Sequence, residues 1–166
     1  DDPAFIDIVE ELRQKLFGWM IETRDLGMID EPEIAARAEQ HSGVSYEVGV
    51  HCNNLERILE TADLARMGED AKEELAKRLS DPDSAVRFWA VTGLCSLGVE
   101  RTLIDRLSAL LDDSSISVSL TAGDYLVRAG KGALALPAFA RALASDILWA
   151  RIRAGAYLSY RSREEL

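Results

Sequence analysis

Residues 75–98 read LAKRLSDPDSAVRFWAVTGLCSLG, and the same frame returns over 107–130 as LSALLDDSSISVSLTAGDYLVRAG. Leu75, Leu79, Asp81, Val86, Ala90, Leu94 and Gly98 recur 32 residues on as Leu107, Leu111, Asp113, Val118, Ala122, Leu126 and Gly130. A third copy keeps the offset with Phe139, Leu143, Ser145, Ala150, Ala154 and Leu158, while Ser162 replaces its closing glycine. In each copy the first stretch sets apolar side chains on one helical face at i, i+4 and i+8: Ala71, Leu75 and Leu79, then Leu103, Leu107 and Leu111, then Ala135, Phe139 and Leu143. A polar turn follows, at residues 80–84, 112–115 and 144–146. Asp and Ser there cap the orphan amides of a second helix, and Pro82 cannot continue the first. The second helices carry Ala90 and Leu94, Ala122, Gly123 and Leu126, then Ala154, Gly155 and Leu158, whose small members let neighbouring helices approach.

A two-helix unit of this length cannot bury its own apolar face, so the copies must stack. The expected fold is all-α, an α-solenoid of helix pairs that breaks near Asp81, Asp113 and Ser145, preceded by a long N-terminal helix. The run Asp81-Pro82-Asp83-Ser84-Ala85-Val86-Arg87-Phe88-Trp89-Ala90, with Gly93, Leu94 and Leu97-Gly98 after it, resembles the short HEAT-like repeat and its DPD-x-x-VR-x-x-A turn. The second copy has Ser114 and Ser119 in place of the Pro and Arg, and the third keeps the Arg as Arg151. This resemblance implies a scaffold that binds a protein partner. Trp89 and Trp149, both in second helices, are the candidate interface residues, with packing between repeats as their other use.

The first third differs. Pro3 after Asp2 reads as a first helical position behind an N-cap, and Phe5, Ile8, Val9, Leu12, Leu16, Trp19 and Met20 form one stripe of a helix that should end near Gly27. A short helix is expected from Pro32 through Ala38. Ser42 to Asn53 has no period and reads as a surface loop, and residues 54–65 form a third helix with Leu55, Ile58, Leu59 and Ala62 inward. Residues 1–53 are thus a helix and linker, and 54–166 the repeat region, with repeats near 69–98, 100–130 and 132–162. The stripe is too apolar to stand alone in water. It should dock on the helix of residues 54–65, on the first repeat or on a second copy, and Leu12→Ala should cost about 2–5 kcal/mol if that site is buried.

Within this region, Trp19-Met20-Ile21-Glu22-Thr23-Arg24-Asp25-Leu26-Gly27, reached through Asp1-Asp2-Pro3, resembles the C-terminal end of bacterial sulfatases of the alkaline-phosphatase-like superfamily, arylsulfatase or heparan N-sulfatase-like. Some members continue into a helical extension with HEAT-like repeats. The resemblance covers residues 1–34 by motif. It implies a non-catalytic C-terminal module of a sulfuric ester hydrolase that packs on its own catalytic domain, makes oligomer contacts or positions substrate. It further implies calcium in the parent domain and a periplasmic or extracellular location. No catalytic residue carries over, because sulfatases use the Cys or Ser of C/S-x-P-x-R, whereas Cys52 is followed by Asn53-Asn54-Leu55 and Cys95 by Ser96-Leu97-Gly98. A start at Asp1 without an initiator Met gives the expectation of a piece of a longer protein.

Charge excludes some partners. Lys+Arg 19 against Asp+Glu 29 leaves the chain at −10, the wrong sign for general nucleic-acid binding. The longest charge-free window, Phe88 to Val99, is far short of the roughly 18–20 apolar residues that span a bilayer, so no membrane partner is expected. The charge is uneven: residues 128–163 carry +6 and residues 1–127 carry −14, so the two ends attract within one chain or between copies stacked head to tail. Arg151, Arg153, Arg161 and Arg163 are therefore the candidate anion or partner contact. They serve as a salt-bridged terminal cap, or they meet the acidic first half or a sulfated glycan, since arginine suits sulfate-like anions.

Other constellations read as structure. His41, His51 and Cys52 fit no closed zinc spacing, and the two cysteines leave one disulfide open. The acidic pairs Glu73/Glu74, Asp81/Asp83 and Asp112/Asp113 fall at turns and first helical turns, where they cap and offset the helix dipole rather than form acid–base pairs. Gly130-Lys131-Gly132 lacks the spacing of a phosphate loop. No catalytic residue, metal ligand or cofactor is assigned to this chain.

Overall fold

The structure, a computed structural model, describes residues 3–52, 54–98 and 100–160. Among the described residues every regular element is helical, as the repeat pattern required. The repeats are the pairs α5 (Lys72–Arg78) with α6 (Ser84–Leu97), α7 (Ile104–Ala109) with α8 (Ile116–Arg128), and α9 (Gly132–Leu143) with α10 (Leu148–Ser159). The turns fall at Asp81, Asp113 and Ser145, and one local device makes all three. Asp81 Oδ1 accepts the Asp83 N–H at 2.9 Å, Asp113 Oδ1 accepts the Ser115 N–H at 2.8 Å, and Ser145 Oγ accepts the Ile147 N–H at 3.1 Å. Each satisfies an amide that the helix start leaves without an intrahelical acceptor.

Stacking buries what one pair cannot. Leu75, Leu79, Ala90 and Leu94 of the first repeat share a core with Leu107, Ala122 and Tyr125 of the second. Leu120, Leu126 and Val127 of the second pack with Ala135, Phe139, Ala142 and Ala154 of the third. A polar staple adds to the first junction: the Arg87 guanidinium donates to both carboxylate oxygens of Asp113, at 2.8 and 2.7 Å, and to the Asp81 carbonyl at 2.8 Å. Both partners are largely buried. One step upstream, Arg57 of α4 (Leu55–Leu64) meets Asp81 in the same way at 2.7 Å. At the second junction the staple is absent, because Ser119 and Ser145 stand where the Arg and Asp would be. Close packing replaces it there: a Cβ on Gly123 would lie 3.2 Å from Phe139 Cζ and 3.4 Å from Ala135 Cβ.

The N-terminal third corrects three expectations; the Asp2 cap itself lies outside the described residues. Pro3–Phe5 form a 3₁₀ turn and α1 runs Ile6–Thr23, ending short of Gly27 because Arg24 takes a left-handed conformation, φ 55°, and the Asp25 N–H turns back to the Met20 carbonyl. The segment expected to be a loop holds a helix, α3 (Ser45–His51). Its seven residues are too few to show a period, and the contact that holds it is tertiary: a Cβ on Gly49 would lie 2.9 Å from the Arg24 carbonyl, so only glycine allows this approach. Third, the apolar stripe of α1 is not covered. α1 docks on α4 through its neighbouring face, with Met20 and Phe17 packed on Leu55 and Leu59 and Arg13 paired to Asp63 at 2.7 Å. Phe5, Val9, Leu12, Leu16 and Trp19 stay about half exposed, Leu12 at 59%. Leu12→Ala is accordingly expected to shift the unfolding free energy of the monomer by less than about 0.5 kcal/mol, as at other surface sites. A loss above 2 kcal/mol in urea titration would show that the stripe is covered in solution.

Candidate functional site

The short helix α2 (Glu31–Glu39) lies across the second-helix side of the stack, packed on α3, α8 and α10. Its entry explains its placement. Pro32 favours a helix start, but Asp30, in the N-cap position, makes no capping bond. Its carboxylate instead accepts the Ser117 hydroxyl at 2.6 Å and pairs with Arg153 of α10, which also donates to Glu31 at 2.8 Å. One turn on, buried Glu33 accepts hydroxyls from Ser84, at the start of α6, and from Ser115, the N-cap of α8, at 2.5 Å for the latter. A carboxylate is thus held between two helix N-termini, where the dipole favours negative charge. Arg37 closes the network through Glu33 at 2.8 Å, Asp83 at 2.7 Å and Ser84 at 3.0 Å. The link between acidic first half and basic last repeat therefore forms within one chain, through Arg153.

Burial opposes ionisation of both aspartates of this network, with opposite outcomes. At Asp83 burial works against ionisation, but the Arg37 hydrogen bond and charge with the Ala85 N–H outweigh it and hold the carboxyl below its ordinary 3.8. At Asp30 burial dominates over Ser117 and Arg153, and the carboxyl sits above 3.8. The stabilisation from Asp83 is therefore present above pH 3.8 and is lost as pH falls through its depressed pKa, whereas ionised Asp30 is disfavoured as pH rises through its raised one. Asp83→Asn should lower stability at pH 7, with the deficit closing on acidification, and Asp30→Asn should cost less at pH 7. Urea midpoints from pH 2.5 to 7 check both; a deficit for Asp83→Asn that does not change with pH contradicts the assignment.

The other candidate residues scatter. Arg151 is exposed and donates to the Ser145 carbonyl at 2.5 Å, away from Arg153's partners; Arg161 and Arg163 lie outside the described residues. Trp89 is half-buried and donates its indole N–H to the Met28 carbonyl at 2.7 Å, fastening the first repeat to the chain before α2. Trp149 is 49% exposed on α10. Glu73 and Glu74 pair with Lys77 and Arg78 on the same helix, and Asp112 with Arg141, so these acids are structural. Cys52 and Cys95 lie in separate parts of the core and are not joined by a disulfide. The imidazoles of His41 and His51 stack at 4.4 Å, and no group of three or more metal-binding side chains occurs among the described residues.

Beside α2 opens a cavity of about 540 Å³, walled by α2, α3, the starts of α6 and α8, and Ile147. Pro32, Val48, Ile116 and Ile147 are apolar parts of its lining; Glu33, Arg37, Gln40, His41 and His51 are polar parts. Sequence reading missed this site because its walls come from five separate stretches. Two signals pointed toward it: the dense acidic run Asp30-Glu31-Pro32-Glu33, and the serines of 114–119 that replace the repeat's usual Pro and Arg.

Among the described residues no helix is long and apolar enough to cross a membrane. No curated protein and no solved structure matches the chain, and no comparison links it to a sulfatase. The helix pairs, the aspartate-capped turns and the stacked cores are those of a known repeat class, and its family model, HEAT repeats, matches residues 62–160, more than half of the sequence: the chain belongs to the HEAT-repeat family.

Proposed function

We propose that the chain is a helical scaffold for protein interaction, with the cavity beside α2 as its partner site. The observation that carries this is the cavity wall, which combines four apolar side chains with Glu33, Arg37, Gln40 and two imidazoles at the edge of a HEAT-repeat stack. Such a mixture suits an extended peptide segment, with apolar pockets for side chains and donors for its carbonyls. Panning a displayed peptide library on the folded chain tests it. Enriched peptides should bind the native chain and weaken at least about tenfold on Ile147→Glu, a change at a half-buried rim residue. Equal binding to native and variant chains, or no enrichment, overturns the site.

A finer reading, a C-terminal module of a sulfatase-family hydrolase, rests on the resemblance of residues 1–34. The uncovered stripe of α1 favours it, since a neighbouring catalytic domain would cover that face. Calcium and the formylglycine chemistry would then belong to the neighbouring domain, and this chain alone should turn over no aryl sulfate. A reading frame that continues upstream into C/S-x-P-x-R supports that origin, and one that opens just before Asp1 removes it.

A further inference from the structure

Among the described residues two apolar helix faces, on α1 and α10, are left without a partner. On α1, Phe5, Val9, Leu12, Leu16 and Trp19 are spaced four, three, four and three residues apart, the rhythm of an interhelical seam, and all are about half exposed. On α10, Leu148, Trp149 and Ile152 are likewise about half exposed, beside Gly155 and Ala156. The packing partner of α1 is α4, and α10 packs on α9, α8 and α2, so the two faces do not meet within one chain.

The internal repeat says what the α10 face is for. Ile152 and Gly155 stand 32 residues after Leu120 and Gly123 of α8. Leu120 is fully buried, and Gly123 lies against Phe139 and Ala135 of the following helix. A Cβ on Gly155 would meet nothing within 4 Å. The surface by which α8 receives the next helix is therefore repeated on α10, and no described residue fills it. Its occupant must be a helix with apolar side chains at i, i+4, and α1 supplies Phe5 with Val9 and Leu12 with Leu16. The edge of the α1 stripe carries Glu22 and the Glu11–Lys15 ion pair, and Arg151 borders the α10 face.

We propose that this chain assembles head to tail, α1 of one copy lying on α10 of the next as an additional helix of the solenoid. The contact is heterologous, so it leaves one free face at each end and grows with concentration. It is independent of the cavity beside α2.

Two exposed-site variants test it by sedimentation velocity. Leu12→Glu spoils the α1 face and Ile152→Glu the α10 face, and unchanged circular dichroism shows that both fold. The native chain should form species larger than a dimer as concentration rises, while each variant alone stays monomeric, its association weakened about a hundredfold or more. Mixing the two variants should yield a 1:1 dimer that grows no further, because one intact α1 meets one intact α10. Dimers of Ile152→Glu alone would instead show α1 pairing with α1 and overturn the proposal. So would a native chain that stays monomeric throughout, which leaves both faces to other proteins.

Discussion

Arg87→Ala is expected to lower the unfolding free energy by about 3–5 kcal/mol, the range for removing one partner of a buried, hydrogen-bonded ion pair. The guanidinium is shared between both oxygens of Asp113 and the carbonyls of Asp81 and Pro82, so its loss frees four acceptors at once. Asp113 also caps α8 through Ser115, and without its counter-charge it remains as a largely buried carboxylate at the joint between two repeats. Most of the penalty comes from that abandoned charge. The double variant Arg87→Ala with Asp113→Asn should therefore regain part of the loss, and the double-mutant cycle should show coupling of at least about 1 kcal/mol. A single-variant loss below 1 kcal/mol would place the pair among ordinary surface salt bridges.

Phe139→Ala is expected to cost about 3–5 kcal/mol and to act on one end of the molecule first. Phe139 is buried where α8, α9 and α10 meet, filling the space that Gly123 leaves and lying 6.3 Å from the Tyr157 ring. This junction lacks the buried arginine–aspartate staple of the one before it, and its one such pair, Arg141 with Asp112, is exposed, so packing carries most of the joint. In a linear array each repeat depends on its neighbours alone, and a weakened interface opens locally. Amide exchange in Phe139→Ala should rise across α9 and α10 while α5 to α8 keep their protection. What remains to tether the last repeat is Arg141 on the Leu111 carbonyl and Asp112, and Arg153 on Asp30 and Glu31, so adding Arg153→Ala should widen the difference. Uniform loss of protection along the chain would mean that the repeats unfold as one unit.

The helix pairs, their turn positions and their inward residues, except Leu143, which is 43% exposed, were legible in the 32-residue offset, because each is fixed by local chemistry: spacing of apolar side chains, an Asp or Ser before a helix, a proline that ends one. Leu75, Leu107 and Phe139 lie in the core as their register demands. Even the missing second staple was written in Ser119 and Ser145. The same reasoning misjudged α1 and α3. Periodicity shows that a helix has an apolar face but not which side meets the protein, and α1 is held by Arg13 on Asp63 and by Met20 and Phe17, at the margin of its stripe. α3 carries no period at all and exists because Gly49 admits the Arg24 carbonyl.

The polar site shows the same division. That the ends of the chain attract followed from their net charges, but charge falls off smoothly with distance and names no partner. Of the four arginines proposed for that contact, Arg153 was given buried carboxylates by the path of α2 across the stack, while Arg151 turned to a backbone carbonyl on its own turn. Glu33, Ser84 and Ser115 lie 31 to 82 positions apart, and no pattern along a chain brings three such residues together. The sequence by itself determined the repeating unit, since that unit is built from contacts within a few turns of helix. Only the tertiary structure decided which surfaces are spent inside the molecule and which are left for another, because that depends on where α2 crosses and where the stack stops.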